Sequence, residues 1–315
     1  MRVFILAAGL GTRLMPLTRL RPKCLMPVIN QPLLGLWLKR LAGLGVRRAV
    51  VNTHHLAPQV RRFVQESPVP GLEVLESHEP VILGTGGGLK AARRLLGDGP
   101  FLLVNSDVVA TADPRPLLDT LEQTGSLAVL GLTDQPRFNT VAVDGEGRVL
   151  GFQGGPGLTA APRWLTYGGL AAIAPALLDY LPPGGFSTLV QGLAAALAAG
   201  RPVLGQMLEG FWDDLGTPEC LLDLHRLLLA APPAGLGHLS AQGPLVLAPG
   251  AMVGPGARVE GFAVLGEGAR VEAGARVQDS LLLQGAVVAA GASVRDAVLG
   301  DGFVAQGEIK GGAHA

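Results

Sequence analysis

Residues 1–14 read Met1-Arg2-Val3-Phe4-Ile5-Leu6-Ala7-Ala8-Gly9-Leu10-Gly11-Thr12-Arg13-Leu14, an aliphatic run set directly against a turn punctuated by glycine. The run is short and unbroken, as a strand buried on both faces requires. A strand that feeds such a turn predicts the opening of an α/β fold. Its apolar part has neither the longer core nor the small-residue cleavage site of a secretory leader. Glycine leaves no Cβ in the way, so the turn can bring backbone N–H groups close to a phosphate. Arg13 adds a forked donor for phosphate oxygens. A dinucleotide fingerprint would need a third glycine where Leu14 stands, and a Walker A loop would need Gly-Lys-Ser/Thr.

Working outward, short apolar segments alternate with helical ones. Strands are expected at 2–7, 48–53, 72–76, 101–105, 126–132, 139–143, 148–152, 165–173 and 203–208. Helices are expected at 32–43, 57–65, 86–96, 115–123, 187–199 and 218–229. This predicts an α/β domain over 1–230, with a Rossmann-like mixed, mainly parallel sheet sandwiched by helices. Ligands then belong beyond the carboxyl ends of the strands. A Pro-, Ala- and Gly-rich linker follows at 231–240. From 241 to 310 the texture changes: Val253, Val259, Leu265, Val271, Val277 and Leu283 recur every six residues. The phase slips once near Val287, and Val288, Val294, Leu299 and Val304 continue. One inward aliphatic per six residues resembles the left-handed parallel β-helix built from hexapeptide repeats.

Bulk properties exclude several classes. A chain of 315 residues accommodates two domains, and 25 basic against 25 acidic residues, with no basic stripe, leaves no nucleic-acid footprint. Pro232 and Pro233 interrupt the Leu227–Leu236 stretch, so no membrane span is expected. Cys24 and Cys220 stand far apart and form no disulfide framework, which suits a reducing cytoplasm.

The turn continues into Pro16-Leu17-Thr18 and then Pro22-Lys23-Cys24-Leu25-Met26-Pro27-Val28. Of the 25 basic residues only Lys23, Lys39, Lys90 and Lys310 are lysines, so a lysine flanked by prolines marks a place that wants a compact ammonium. The whole string from Gly9 to Val28 resembles the N-terminal signature of the sugar-1-phosphate nucleotidyltransferases. That resemblance implies nucleotide binding by Leu6, Ala8, Gly9, Gly11 and Thr12, with Arg13 and Lys23 as the catalytic cations. Two further segments are similar to the same family: Phe101 to Asp107, a strand ending in a carboxylate, and Trp212-Asp213-Asp214-Leu215-Gly216-Thr217-Pro218. They imply that Asp107 and Asp214 hold Mg²⁺, a hard cation suited to carboxylate and phosphate oxygens. Asp107 as a strand-end cap and Asp214 as a helix N-cap are the alternatives.

Ser77-His78-Glu79 followed by Leu83-Gly84-Thr85-Gly86-Gly87-Gly88 resembles the base-binding loop of the family, implying contacts from Glu79, Gly84, Thr85 and Gly86. A carboxylate can accept from adjacent N–H groups of guanine, which tilts Glu79 toward that base. His54, His55 and His78 lack metal-ligand spacing and read as solvated loop residues. The sugar end is expected at Asn105, Tyr167, Gly168 and Gly169. Relatives often carry Phe-x-Glu-Lys-Pro before the sugar site, where this chain has Phe152-Gln153-Gly154-Gly155-Pro156 without either charge. Arg163 is a candidate stand-in, with a plain surface arginine as the alternative.

The expected reaction is in-line displacement, joining a nucleoside triphosphate to a sugar 1-phosphate with release of pyrophosphate. Ser77-His78-Glu79, Asn105-Ser106-Asp107 and Gly210-Phe211-Trp212 most resemble mannose-1-phosphate guanylyltransferases, which points to GTP and mannose 1-phosphate. Uridylyltransferases acting on N-acetylmuramate 1-phosphate are similar at Thr85–Gly88 and Leu95–Asp98. Acetyltransferase β-helices need a histidine, and 240–310 has none, so the tail is expected to serve homo-oligomerisation. A non-catalytic nucleotide-sugar-sensing subunit is the reading from another class.

Overall fold

The computed structural model describes residues 1–154, 163–239, 241 and 243–315; Gly155, Pro156 and Ser240 lie outside them. In chain order, β1 (Arg2–Leu6) precedes the hairpin strands β2 (Pro27–Val28) and β3 (Gln31–Pro32) and helix α1 (Leu33–Gly43). Next come β4 (Arg48–Thr53), α2 (Ala57–Glu66), β5 (Glu73–His78), α3 (Gly84–Ala91), α4 (Arg93–Leu96), β6 (Phe101–Asn105), β7 (Val108–Ala110) and α5 (Arg115–Thr124). Strands β8 (Ala128–Thr133), β9 (Val141–Val143), β10 (Val149–Phe152) and β11 (Arg163–Ile173) follow, then α6 (Leu189–Ala198), β12 (Val203–Met207), β13 (Trp212–Asp214) and α7 (Pro218–Ala230). The expected helix at 86–96 divides at Ala92, and β7 and β13 are short strands with no apolar period long enough to announce them.

Two compact units emerge, and they do not follow chain order: Met1–Gly9 with Trp37–Trp212, and Leu10–Leu36 with Asp213–Ala315. The first is built on a nine-stranded sheet in the order β10-β9-β11-β6-β1-β4-β5, with β8 beside β11 and β12 beside β8. Only β11 and β10 run against the other strands of this sheet, so it is mixed and mainly parallel, as expected. Val3, Phe4 and Ile5 of β1 and Phe101 to Val104 of β6 are fully buried, which explains their unbroken apolar sequence.

The second unit carries the C-terminal strands, which stack in parallel register. Arg258 pairs with Arg276 eighteen residues on, and Arg276 with Ser293 seventeen on. Val271, Val277, Leu282, Val288, Val294, Leu299 and Ala305 fill its interior. Burying each larger aliphatic contributes about 1.5–3 kcal/mol. Two registers differ from the sequence reading, because Leu282 rather than Leu283, and Ala305 rather than Val304, belong to this interior. The five-residue steps fall at Asp279 and Asp296, whose φ values of 45° and 50° shorten the turn. Aspartate tolerates that left-handed backbone, so the phase slips at Asp279 and again at Asp296 rather than once near Val287.

Helix α7 packs Leu221, Leu224 and Leu228 inward together with His225, which is 1% exposed. The His225 Nδ1–H donates to the Leu221 carbonyl at 2.7 Å, and Nε2 accepts from the Ile29 N–H at 3.0 Å. Ile29 and Asn30 have φ of 46° and 60°, the pattern of a two-residue hairpin turn between β2 and β3. Ile29 is a β-branched residue in a conformation that disfavours it, held by that buried bond. No helix among the described residues is long and apolar enough to cross a membrane.

Burial pulls the His225 imidazole down to about 4 from 6.5, against the opposing pull of the Leu221 carbonyl. The folded ring stays neutral while the unfolded chain protonates it. The contribution is therefore intact above pH 6.5 and lost as pH falls from 6.5 toward 4, by about 3 kcal/mol in all. Urea unfolding across that window should show this extra loss in the wild type and not in His225→Leu. Parallel curves for the two proteins would contradict it.

Candidate active site

In the first unit, the end of β1 is tied to its neighbours through buried polar groups. The Leu6 carbonyl accepts from both the N–H and the Oγ–H of Ser106, at 3.2 and 2.5 Å. The Ala7 N–H donates to Asn52 Oδ1 at 2.6 Å, and Asn52 Nδ2 donates to Glu79 Oε1 at 2.8 Å. Glu79 Oε2 accepts from the Leu83 N–H at 2.9 Å. One carboxylate thus joins β1, β4 and the approach to α3. Glu79 is 1% exposed, so the guanine contact expected of it has no exposed carboxylate to rest on. His54 Nδ1 lies 2.8 Å from the Glu79 carbonyl and His78 Nδ1 3.3 Å from Thr53 Oγ1, which makes these two histidines partnered rather than merely solvated.

The glycine run has a different cause from the one its sequence suggests. Gly86, Gly87 and Gly88 are buried. A Cβ on Gly86 would lie 2.7 Å from the Thr188 carbonyl oxygen, on Gly87 2.6 Å from that of Gly185, and on Gly88 2.5 Å from Glu79 Oε1. These glycines let α3 approach the 185–188 backbone, where the Gly86 N–H donates to the Ser187 carbonyl and Leu189 N–H to Thr85 Oγ1. Gly84 has φ +71°, and a Cβ there would meet Ser187 O at 2.5 Å. Gly9 contrasts with all of them: it is exposed, and a Cβ on it would meet no described atom within 4 Å.

The expected sugar end is gathered in the same unit. The register of β11 against β8 shifts between Tyr167 and Ala171, which places Gly168 and Gly169 in a bulge. Gly169 has φ +76°, and its missing Cβ would lie 3.0 Å from Asn105 Cβ; the Gly168 carbonyl accepts from Trp212 Nε1 at 2.8 Å. Burial, and then the charge of Asp107, push the Tyr167 phenol upward. The Tyr167 hydroxyl and Asn105 Oδ1 are both buried without a hydrogen-bond partner among the described residues. Trp37 Nε1 donates to the Val108 carbonyl and Arg40 to those of Ala110, Thr111 and Ala112, holding the strand after Asp107. Arg163 is paired with Asp134 at 3.1 Å, both side chains half exposed, so it is a surface ion pair.

The second unit holds the cationic part. Three short 3₁₀ turns, Thr12–Leu14, Leu17–Arg19 and Lys23–Leu25, carry the signature. Gly11 has φ +64°, and a Cβ there would lie 2.7 Å from Thr18 Cγ2 and 3.2 Å from Lys23 Cβ. Thr18 Oγ1–H donates to the Gly11 carbonyl at 3.0 Å, which ties the turn onto the lysine segment. Thr12 and Arg13 are exposed, and Arg13 Nη1 lies 3.4 Å from Asp214 Oδ2. Gly216 keeps the space this pair occupies. Thr217, not Asp214, caps α7 by accepting from the Cys220 N–H, with Pro218 opening the helix. Burial, with a smaller push from Asp214, raises the neighbouring Asp213 to about 6, and burial pushes the Cys24 thiol up to about 12, so that thiol is no nucleophile. Among the described residues no three His, Cys, Asp or Glu side chains group as a metal cage.

Asn52, Trp37, Arg40 and His225 escaped the sequence reading. Asn52 did leave a trace, as the polar residue that follows three apolar ones in Ala49-Val50-Val51-Asn52. The others sit where amphipathic helices ordinarily place such residues.

A mainly parallel sheet with an anchored glycine turn and exposed cations defines an α/β enzyme that handles nucleotides. The chain belongs to the nucleotidyl transferase family, whose pattern matches residues 2–231. The activity that this family's description gives is nucleotidyl transfer. The N-acetylmuramate alpha-1-phosphate uridylyltransferase of Neisseria meningitidis serogroup B is 33% identical over 225 residues, 69% of this chain and 94% of that protein. The mannose-1-phosphate guanylyltransferase of Mycobacterium tuberculosis is 30% identical over 287 residues, 88% of this chain and 78% of that protein. The solved UDP-glucose pyrophosphorylase from Acinetobacter baumanii shares the fold at a TM-score of 0.63 and 17% identity, covering 75% of this chain and 96% of that one.

Removing the Asn52 amide strands the Ala7 N–H and the Glu79 carboxylate. Asn52→Ala should lower the unfolding free energy by about 2–4 kcal/mol in urea titrations. It should also raise KM for the nucleoside triphosphate about tenfold, or about 1.4 kcal/mol of binding. Unchanged stability would show that the amide is not the joint described.

Proposed function

We propose that the Gly9–Lys23 segment binds the triphosphate and catalyses in-line attack by a sugar 1-phosphate oxygen on the α-phosphorus. The new P–O bond forms as the bond to the β-phosphate oxygen breaks, and pyrophosphate leaves. The observation that carries this is Gly9. Its φ is not in the left-handed region and no atom of the described residues crowds its missing Cβ, so their packing does not require glycine there. A ligand approaching the backbone closely does. Leu6, Ala8, Gly9, Gly11 and Thr12 would line the phosphates, with Arg13 and Lys23 neutralising the charge that develops on them.

Asp107 in the first unit and Asp214 in the second are each candidate carboxylates for Mg²⁺. Both are hard oxygen donors, and magnesium ordinarily takes one or two carboxylates and fills its shell with water and substrate phosphates. The ion would supply charge neutralisation on the phosphates. Asn105, Tyr167, Gly168 and Gly169 would receive the sugar, since Asn105 and Tyr167 each keep a buried polar atom unpaired. Gly84, Thr85 and Gly86 would border the base through backbone and Thr85 rather than through an exposed carboxylate. We read residues 1–230 as catalytic and the parallel stack over 241–310 as a left-handed β-helix. Exposed Leu247, Met252 and Val304 support association of copies through that coil. The thiols of Cys24 and Cys220 are both free, in keeping with a cytoplasmic enzyme.

GTP with mannose 1-phosphate is the substrate pair supported by the Mycobacterium tuberculosis relative, whose similarity extends over 88% of this chain. UTP with N-acetylmuramate 1-phosphate is favoured by one observation: the engagement of both Glu79 oxygens removes the group that would distinguish guanine.

Incubation with Mg²⁺, each triphosphate and each sugar 1-phosphate, read as pyrophosphate release, should give turnover with one of these two pairs. Lys23→Ala should abolish it while leaving the circular dichroism spectrum unchanged. Full turnover by Lys23→Ala would refute the proposed site, and absence of release with every pair would favour a sensing subunit.

A further inference from the structure

Lys23 sits in a segment whose two ends are fastened to the C-terminal stack within the same compact unit. Upstream, Arg21 Nε donates to Asp301 Oδ2 at 3.0 Å and Arg21 Nη2 to Asp301 Oδ1 at 2.8 Å, a two-pronged pair whose side chains are 18% and 24% exposed. The Gln284 N–H donates to the same Asp301 Oδ1 at 3.1 Å, so the carboxylate is itself fixed. Asp301 lies in a turn that the stack holds rigidly, with the Gly302 N–H donating to the Gln284 carbonyl and the Phe303 N–H to that of Gly300. Downstream, Asn30 Nδ2 donates to the Leu265 carbonyl at 3.0 Å, and the Leu33 N–H closes the hairpin onto the Met26 carbonyl. Between these anchors, Leu25 N–H to Pro22 O and Met26 N–H to Lys23 O form the turn that carries the lysine.

We infer that Arg21 and Asp301 are positioning residues for Lys23, which makes the C-terminal stack a working part of the active site. The inference rests on the reading of Lys23 as the catalytic cation. Its physical basis is the cost of order. Ordering a loop costs conformational entropy, and an ammonium on a disordered loop spends most of its time away from the phosphates. A bidentate, half-buried arginine–carboxylate pair supplies both attraction and orientation, which a surface lysine pair would not. Only Pro22 separates Arg21 from Lys23, and at φ −64° it is a stiff connector, so little of the constraint dissipates along the chain. The neisserial relative is matched over 94% of its length by 225 residues of this chain. The added coil here takes hold of the segment next to the lysine.

The test is steady-state kinetics on the full-length protein. Arg21→Ala and Asp301→Ala should each lower kcat about tenfold to a hundredfold, with KM for the triphosphate changed less than threefold, because a displaced cation fails in the transition state. Arg21→Lys, which keeps charge and loses the fork, should recover only part of the loss. The exchanged pair Arg21→Asp with Asp301→Arg should recover most of it. A purely structural role would instead lower the fraction of folded enzyme and leave kcat per folded molecule intact, as scored by active-site titration with labelled nucleotide. Wild-type kcat in both alanine variants, alongside an inactive Lys23→Ala, would overturn this inference alone. Full activity in Lys23→Ala would overturn it together with the reading beneath it.

Discussion

The glycine turn after β1 is flanked, in each of the two compact units, by a segment whose backbone N–H hydrogen-bonds into a buried core. On one side the Asn52 amide takes the Ala7 N–H and gives its own N–H to Glu79. On the other side the neutral His225 ring takes the Ile29 N–H. Each bond is buried, so losing it leaves an unpaired polar group in low dielectric, a cost larger than the bond's net worth. The glycines of the turn could not hold their conformation unaided, since glycine loses the most backbone freedom on folding.

This division of labour explains where the polar residues sit. Buried polar groups of the first unit, Asn52, Glu79, Thr53 and Ser106, concentrate at the carboxyl ends of parallel strands. They knit together the loops that a parallel sheet presents to ligands. Arg40 repeats the device one layer out by spanning three carbonyls of the segment after Asp107. Its Nη1 and Nη2 groups donate to those oxygens while the buried Nε has no partner among the described residues, and burial lowers the basicity of the guanidinium.

Much of this was legible in the sequence, for identifiable reasons. The strand-to-glycine transition at Leu6–Gly9 and the six-residue period after 241 are local patterns, and local patterns survive in a single chain. The signature around Lys23 was legible because its residue types are unusual for their setting. The role of Gly86–Gly88 was not: a glycine that admits a neighbouring backbone reads the same as one that admits a base. The burial of Glu79 was not legible for a related reason, since its partners Asn52 and Leu83 come from separate elements. The first five-residue step falls at Asp279 rather than near Val287, because only φ distinguishes which residue of a turn is omitted. Arg21 and Asp301 are 280 residues apart, and nothing local connects them.

If the signature segment owes its order to the C-terminal stack, the two should open together. Native-state amide hydrogen exchange in low denaturant reads this directly. The amides of Leu25, Met26 and Ile29 should share one opening free energy and one denaturant dependence with those of Gly285, Val287 and Gly302, distinct from the amides of β1, β4 and β6. Exchange of the 25–29 amides by local fraying, or in step with β1 while the stack stays protected, would contradict the account.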